Sequence, residues 1–193
     1  MEKTFFQRLV AMILLILIFP LLIILMIIIR MESRGNPLFK QKRVGRNGKI
    51  FIIYKLRTMR LGEQPNNIYS EIELALNQSY RITKIGKFLR NYYIDEIPQL
   101  INIFKGEMSF VGPRPNSISI ASRKYYFPKE KNMLPGLTGL EQISFMKKIE
   151  GYDISKLNKF YYKKRNFKLN SFIIFLTLKF IFIDKIFANK TTN

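Results

Sequence analysis

Leu9-Val10-Ala11-Met12-Ile13-Leu14-Leu15-Ile16-Leu17-Ile18-Phe19-Pro20-Leu21-Leu22-Ile23-Ile24-Leu25-Met26-Ile27-Ile28-Ile29 carries no charged side chain. As a helix, this run of about 21 residues reaches roughly 32 Å, the thickness of one bilayer hydrocarbon core. A secretory signal has a shorter apolar region and a small-residue cleavage site. Here Arg30-Met31-Glu32-Ser33-Arg34 follows, which argues against cleavage. Two membrane readings stay open. In the first, one proline-kinked helix crosses the bilayer. Arg30, Arg34, Lys40, Lys42 and Arg43 then put the rest of the chain on the cytoplasmic side. In the second, Lys3 and Arg8 make the other flank equally inside-like. Pro20 removes a helix hydrogen bond, so a helix broken there could dip into the membrane and return to the same face.

Beyond this run lies a polar, basic body. Leu38–Lys42 and Ile50–Tyr54 read as two short strands, joined by the turn signal Gly45-Arg46-Asn47-Gly48. Leu61–Asn77 reads as a loop and a short helix. Ile82, Ile85, Phe88 and Leu89 recur at helical spacing opposite Arg81, Lys84, Lys87 and Arg90, which predicts a basic amphipathic helix. In the next helix Asp95 is positioned to cap, Pro98 falls in the first turn, Leu100, Ile101 and Phe104 form the apolar stripe, and Gly106 ends it. Gly112-Pro113-Arg114-Pro115 is a stiff loop, and Pro135–Gly139 is another turn. The tail Leu169–Phe187 is apolar and aromatic but interrupted by Lys179, Asp184 and Lys185, which fits an interfacial helix better than a second span.

The 193 residues hold 33 Lys and Arg against 13 Asp and Glu, a net charge of +20. Such a chain seeks polyanions: anionic lipid, phosphorylated small molecules or nucleic acid. Cysteine and histidine are both absent. That excludes a disulfide scaffold, His- or Cys-ligated zinc, and catalysis by a Ser-His-Asp triad. Chemistry must come from carboxylates, cations, hydroxyls or an oxygen-held metal. Asp95-Glu96 is the one acidic pair next to a helix start, and neighbouring helical residues point about 100° apart, so one can face a reacting phosphorus while the other reaches a metal or a proton. Taken alone, the pair is more commonly an Asp cap with a first-turn Glu. Arg114 between two prolines suits phosphate recognition, although an exposed turn arginine is the plainer reading. Lys55 and Arg57 end a strand, where loops often present binding groups. Lys163-Lys164-Arg165 reads as a lipid-surface patch.

In order, the segments Lys42–Lys49, Ile53–Met59, Arg81–Gly86, Asp95–Asn102 and Lys105–Pro115 closely resemble the bacterial sugar transferases, small monotopic phosphoglycosyl transferases. Each segment is weak alone, but five in register are specific, and the resemblance runs from about Arg8 to Phe187. It implies transfer of a sugar 1-phosphate from a nucleotide sugar, usually a UDP-sugar, to polyprenyl (undecaprenyl) phosphate. UMP is released and Mg²⁺ is required. It implies Asp95 as the nucleophile that forms a covalent phosphosugar, and Glu96 as the metal-linked partner with Asp95 beside it. Lys55, Arg57, Arg114 and Arg43 are then candidate substrate binders, and Pro20 the break of a re-entrant helix. The chain departs from the family pattern at Phe19, at Gln7-Arg8 and across Leu134–Met146, where a terminal Gly-Arg is lost from a segment expected to hold the nucleotide sugar.

The expected fold is therefore α+β and mostly helical: a monotopic membrane protein with a re-entrant helix at 1–34, a cytosolic catalytic body with a small β-hairpin at 35–168, and an interfacial helix and tail at 169–193. Expected partners are nucleotide sugar, polyprenyl phosphate, the anionic inner membrane with the catalytic face toward the cytoplasm, downstream glycosyltransferases and a second copy of the chain, but not nucleic acid. The rival expectation is a membrane-tethered scaffold of a glycan-assembly complex without catalysis.

Overall fold

The computed structural model describes residues 2–60, 81–117, 132–147, 149, 151 and 153–184. The loop and helix expected at Leu61–Asn77 lie outside them. Helix α1 covers Glu2–Glu32 as one continuous element with Pro20 inside it. It is long and apolar enough to cross a membrane, and little of it is buried.

Both ends of α1 are held by the body. Near its start, Arg8 Nε donates to the Phe104 carbonyl (2.7 Å) and Gln7 Oε1 accepts from the Phe110 amide (3.1 Å). At its end, Glu32 accepts from the amides of Lys84 and Ile85 (2.6 and 3.1 Å). Between these clamps one face of α1 packs on two cores. Ala11 joins Phe51, Ile53, Leu100, Ile103 and Met108, while Leu22, Leu25 and Ile29 join Leu56 and Leu89. The opposite face leaves Phe5, Ile16, Leu17, Phe19 and Ile24 more than half exposed.

Strands β1 (Leu38–Val44) and β2 (Ile50–Leu56) form the expected hairpin, longer by two residues each. Asn47 takes a left-handed conformation in the connecting turn, which Asn tolerates. Strand alternation puts Phe51, Ile53 and Lys55 on one face of β2, with Arg43 paired to Phe51. The free edge of β2 is covered by a side chain. Buried Asn102 accepts from the Tyr54 amide and donates to the Ile52 carbonyl, as a neighbouring strand would.

Helix α2 (Lys84–Asn91) is capped by Thr83, whose hydroxyl accepts from the Gly86 amide. Leu89 is buried there, but Phe88 is 48 % exposed, and Ile82, expected in this helix, lies ahead of it in a β-bridge to Met59. The expected cap at Asp95 is corrected. Tyr93, in the left-handed region, precedes a 3-10 segment at Ile94–Gln99 that holds both Asp95 and Glu96, and only then does helix α3 (Leu100–Lys105) begin. A 3-10 turn is tighter than the α-turn assumed from the sequence. The buried face of α3 is Leu100, Asn102 and Ile103, with Phe104 exposed instead. Gly106 ends α3 in a left-handed conformation, as expected.

Strands β3 (Ser109–Val111) and β5 (Gly136–Thr138) pair in parallel, and β4 (Asn116–Ser117) extends the hairpin beside β1. Helices α4 (Leu140–Met146), α5 (Ile154–Lys164) and α6 (Phe167–Lys179) complete the described chain, with a π-turn at Phe180–Asp184. Ile173 anchors α6 in a third core with Val111, Met133, Ile143 and Tyr161, and Thr177 bonds Thr138 of β5. Phe172, Phe175 and Phe182 stay exposed.

Candidate active site

The 3-10 turn carries the two carboxylates to the inner face of β2. Glu96 Oε1 meets Lys55 Nζ at 2.7 Å, a pair that is about four-fifths buried. Asp95 is 9 % exposed, and its carboxyl is pushed up to about 6. Burial is the main cause and the neighbouring Glu96 charge adds to it, while Lys55 and Arg90 oppose them. At neutral pH Asp95 is therefore ionised but poorly solvated. Tyr93, just ahead, is an aromatic residue at φ +56°, a conformation that costs about 1–3 kcal/mol and collects at functional sites. Its phenol is raised by burial and by Glu96 and Asp95, so it stays protonated. Sequence reasoning passed over Tyr93, and nothing in its neighbours marks it.

A small, open cleft adjoins the turn, with Arg43, Lys55, Glu96, Gln99, Arg114 and Gln142 on its walls. Three cations therefore converge on one carboxylate. Arg43 donates to Gln41 Oε1 (2.7 Å) and toward the Pro115 carbonyl (3.4 Å), and its Nε has no partner. Burial lowers its pKa most, the nearby Arg114 adds to that, and Glu96 opposes them.

The loop of Arg114 is seated by glycines. A Cβ on Gly136 would collide with the Gly112 nitrogen, and one on Gly139 with the Gly112 carbonyl. Only Gly lets the backbones approach so closely, which presses the Arg114 loop onto the start of α4. Glu141 of α4 fixes the contact, accepting from the Arg114 amide and from the Asn158 side chain. Burial raises its pKa and Arg114 lowers it.

The structure thus brings Lys55, Glu96, Arg43 and Arg114 to one cleft, with Asp95 adjoining it but set back from its walls. Arg57 goes elsewhere. Its guanidinium is buried under the end of α1 and donates to the carbonyls of Ser33 and Arg34 and to the Ser33 hydroxyl. Burial lowers its pKa, and Arg30 adds to that. It does not line the cleft. Among the described residues no group of three acidic ligands is found. A divalent ion here would have Asp95 and Glu96, so it would need further oxygens from a phosphorylated ligand. Mg²⁺ is commonly held in this way, by one or two carboxylates plus substrate phosphate.

The described residues thus form one long apolar helix packed on a small α+β body, with paired carboxylates beside clustered cations. Residues 1–184 match the bacterial sugar transferase family, and the chain belongs to it. Galactosyl transferase CpsE of Streptococcus agalactiae serotype III (strain NEM316) is 39 % identical over 79 % of this chain and 36 % of that protein. The UDP-glucose:undecaprenyl-phosphate glucose-1-phosphate transferase of Klebsiella pneumoniae is 35 % identical over 91 % of the chain and 39 % of its own length. The UDP-N-acetylgalactosamine-undecaprenyl-phosphate N-acetylgalactosaminephosphotransferase of Aeromonas hydrophila is 33 % identical over 84 % and 39 %. The chain spans less than half the length of each of these three relatives, and their names carry three different sugars.

Proposed function

We propose that this chain transfers a sugar 1-phosphate from a UDP-sugar to undecaprenyl phosphate, the first membrane step of polysaccharide, O-antigen, capsule or glycoprotein glycan assembly. The observation that carries the reading is the ionised, poorly solvated Asp95 beside Glu96 and a cleft that converges Lys55, Arg43 and Arg114. An Asp95 oxygen attacks the sugar-bearing phosphorus of the donor. The bond from that phosphorus to the bridging oxygen breaks, and UMP leaves with the electron pair. A phosphate oxygen of undecaprenyl phosphate then attacks the same phosphorus, displacing Asp95 as a free carboxylate and giving the lipid-linked sugar diphosphate. Splitting one displacement into two is what a carboxylate nucleophile supplies. Arg43, Arg114 and Lys55 hold the diphosphate and offset its charge, a main term in phosphoryl transfer. Mg²⁺ held by Glu96 and Asp95 would neutralise further charge on the phosphates.

The same packing supports a one-sided membrane seating. From Arg8 to Glu32, α1 rises roughly 36 Å, and the body touches it at both ends and between. A helix standing across the bilayer would carry this polar body into hydrocarbon, where unsatisfied polar groups cost several kcal/mol each. On the proposed reading the outer face of α1 meets the membrane from one side, and the basic flanks at Arg8, Arg30 and Arg34 favour the cytoplasmic face of the inner membrane. The exposed phenylalanines of α6 and the basic end of α5 at Lys163-Lys164-Arg165 complete the lipid-facing surface.

The test is UMP release by detergent-solubilised protein given undecaprenyl phosphate, Mg²⁺ and a panel of UDP-sugars. Release is expected from the wild type, lost with EDTA and lost in Asp95→Asn. Folded wild-type protein that releases no UMP across the panel, while the Asp95→Asn chain still supports glycan assembly in cells, would establish the scaffold reading instead.

A further inference from the structure

Lys55 and Glu96 are joined at 2.7 Å, so each occupies the other. The proposed reaction needs both elsewhere, Lys55 on the donor diphosphate and Glu96 on the metal. The ion pair then opens as substrate binds, and another link must keep β2 and the acidic turn in register. Ile53 shares a core with Leu100 and Ile103, but apolar burial has no direction and sets no register. A directional link is present. Asn102 is the third residue of α3, which follows directly on the turn of Asp95 and Glu96, and its side chain is fully buried. Oδ1 accepts from the Tyr54 amide at 3.2 Å, and Nδ2 donates to the Ile52 carbonyl at 2.6 Å. These two bonds grip β2 just ahead of Lys55. Nδ2 also donates to Glu107 Oε2 at 2.7 Å. A carboxylate only accepts, so Glu107 prevents the amide from turning over and keeps Oδ1 on the strand. The Glu107 amide in turn donates to the Asn102 carbonyl at 2.9 Å.

We infer that Asn102 is a positioning residue for the transfer, whose bonds to Ile52 and Tyr54 hold Lys55 and the Asp95-Glu96 turn in register once substrate has parted the ion pair. Asn102 does not line the cleft, and both of its amide hydrogens are already taken. It acts through Lys55 and Glu96, and Glu107 acts through it. This rests on the proposed transferase reading and adds a role that neither the acidic pair nor the cations fill.

The test is kcat and KM for UMP release by the full chain with undecaprenyl phosphate, Mg²⁺ and the preferred UDP-sugar, corrected for folded fraction. Asn102→Leu keeps the volume and removes the bonds. Its kcat should fall about a hundredfold, the size of a misplacement near 1 Å, while donor KM moves by less than about threefold. In a Lys55→Met background the same change should lower kcat by less than about tenfold, because the group it positions is gone. Glu32→Ala, which loosens the seam instead, is the control for lost stability without lost turnover. Should Asn102→Leu not fold, the Glu107 pair decides. Glu107→Ala frees the Asn102 amide and should lower kcat about threefold or more, and Glu107→Gln, which still accepts, should restore it. A folded Asn102→Leu protein with near wild-type kcat would overturn the assignment and leave the transferase reading standing. So would an equal fold-loss in both backgrounds, or equal kcat for the two Glu107 variants. A folded wild type that releases no UMP overturns both.

Discussion

The seam between α1 and the body and the cleft beside β2 are built from the same residue types and use them in opposite ways. At the seam, Gln7, Arg8 and Glu32 are each consumed by backbone groups of the body. At the cleft, Arg43 keeps its Nε without a partner and Asp95 holds a charge in poor solvent. Lys55 and Arg57 make the contrast within one stretch of chain: the first meets Glu96 in the cleft, the second disappears under the end of α1. Seam residues hold the fold, and cleft residues are held by it.

The sharpest break in this comparison is Asp95→Asn. Activity should fall by at least about a thousandfold, because no other group supplies the nucleophile, yet the protein should become more stable. Raising an aspartate from 3.8 to about 6 means that folding works against its ionised form by about 3 kcal/mol at neutral pH. Since the folded value lies above the unfolded one, this penalty is absent below about pH 4, grows as pH rises, and is complete above about pH 6. In EDTA the melting-temperature gap between Asp95→Asn and wild type should open between those values and then stay constant. A gap that is flat from pH 4 to 7 would remove the buried-charge account.

Arg114→Ala comes next, with an expected loss of about 10²-fold in kcat/KM and little change in melting temperature. Glu32→Ala should do the reverse. Removing the cap of two α2 amides should lower stability by about 1–2 kcal/mol in chemical denaturation and leave the turnover of folded protein near wild type. Arg57→Lys is the smallest and sharpens the division. It should cost about 1 kcal/mol of stability and leave donor KM unchanged. A KM rise of tenfold without destabilisation would return Arg57 to the substrate.

The sequence made α1 legible through its length without charge, the hairpin through Asn47-Gly48, and the end of α3 through Gly106. These signals are local. The 3-10 turn was not legible, because Asp95 before Pro98 looks the same in an α-helical first turn. The β3–β5 pair is three residues a side and joins distant segments, too short for periodicity to show. Lys55 and Arg114 were readable as cation candidates, but Arg57 was not separable from Lys55, since the two stand two residues apart at the end of β2.

The central claim is that Asp95 carries the sugar phosphate, and intact-protein and peptide mass spectrometry test it most directly. Wild-type protein is incubated with Mg²⁺ and its UDP-sugar without lipid acceptor, acid-quenched and digested. A sugar-phosphate mass on Asp95 is expected, absent in Asp95→Asn and discharged by adding undecaprenyl phosphate. Turnover by wild type with the adduct on Glu96, or turnover by Asp95→Asn at an undiminished rate, would contradict the account.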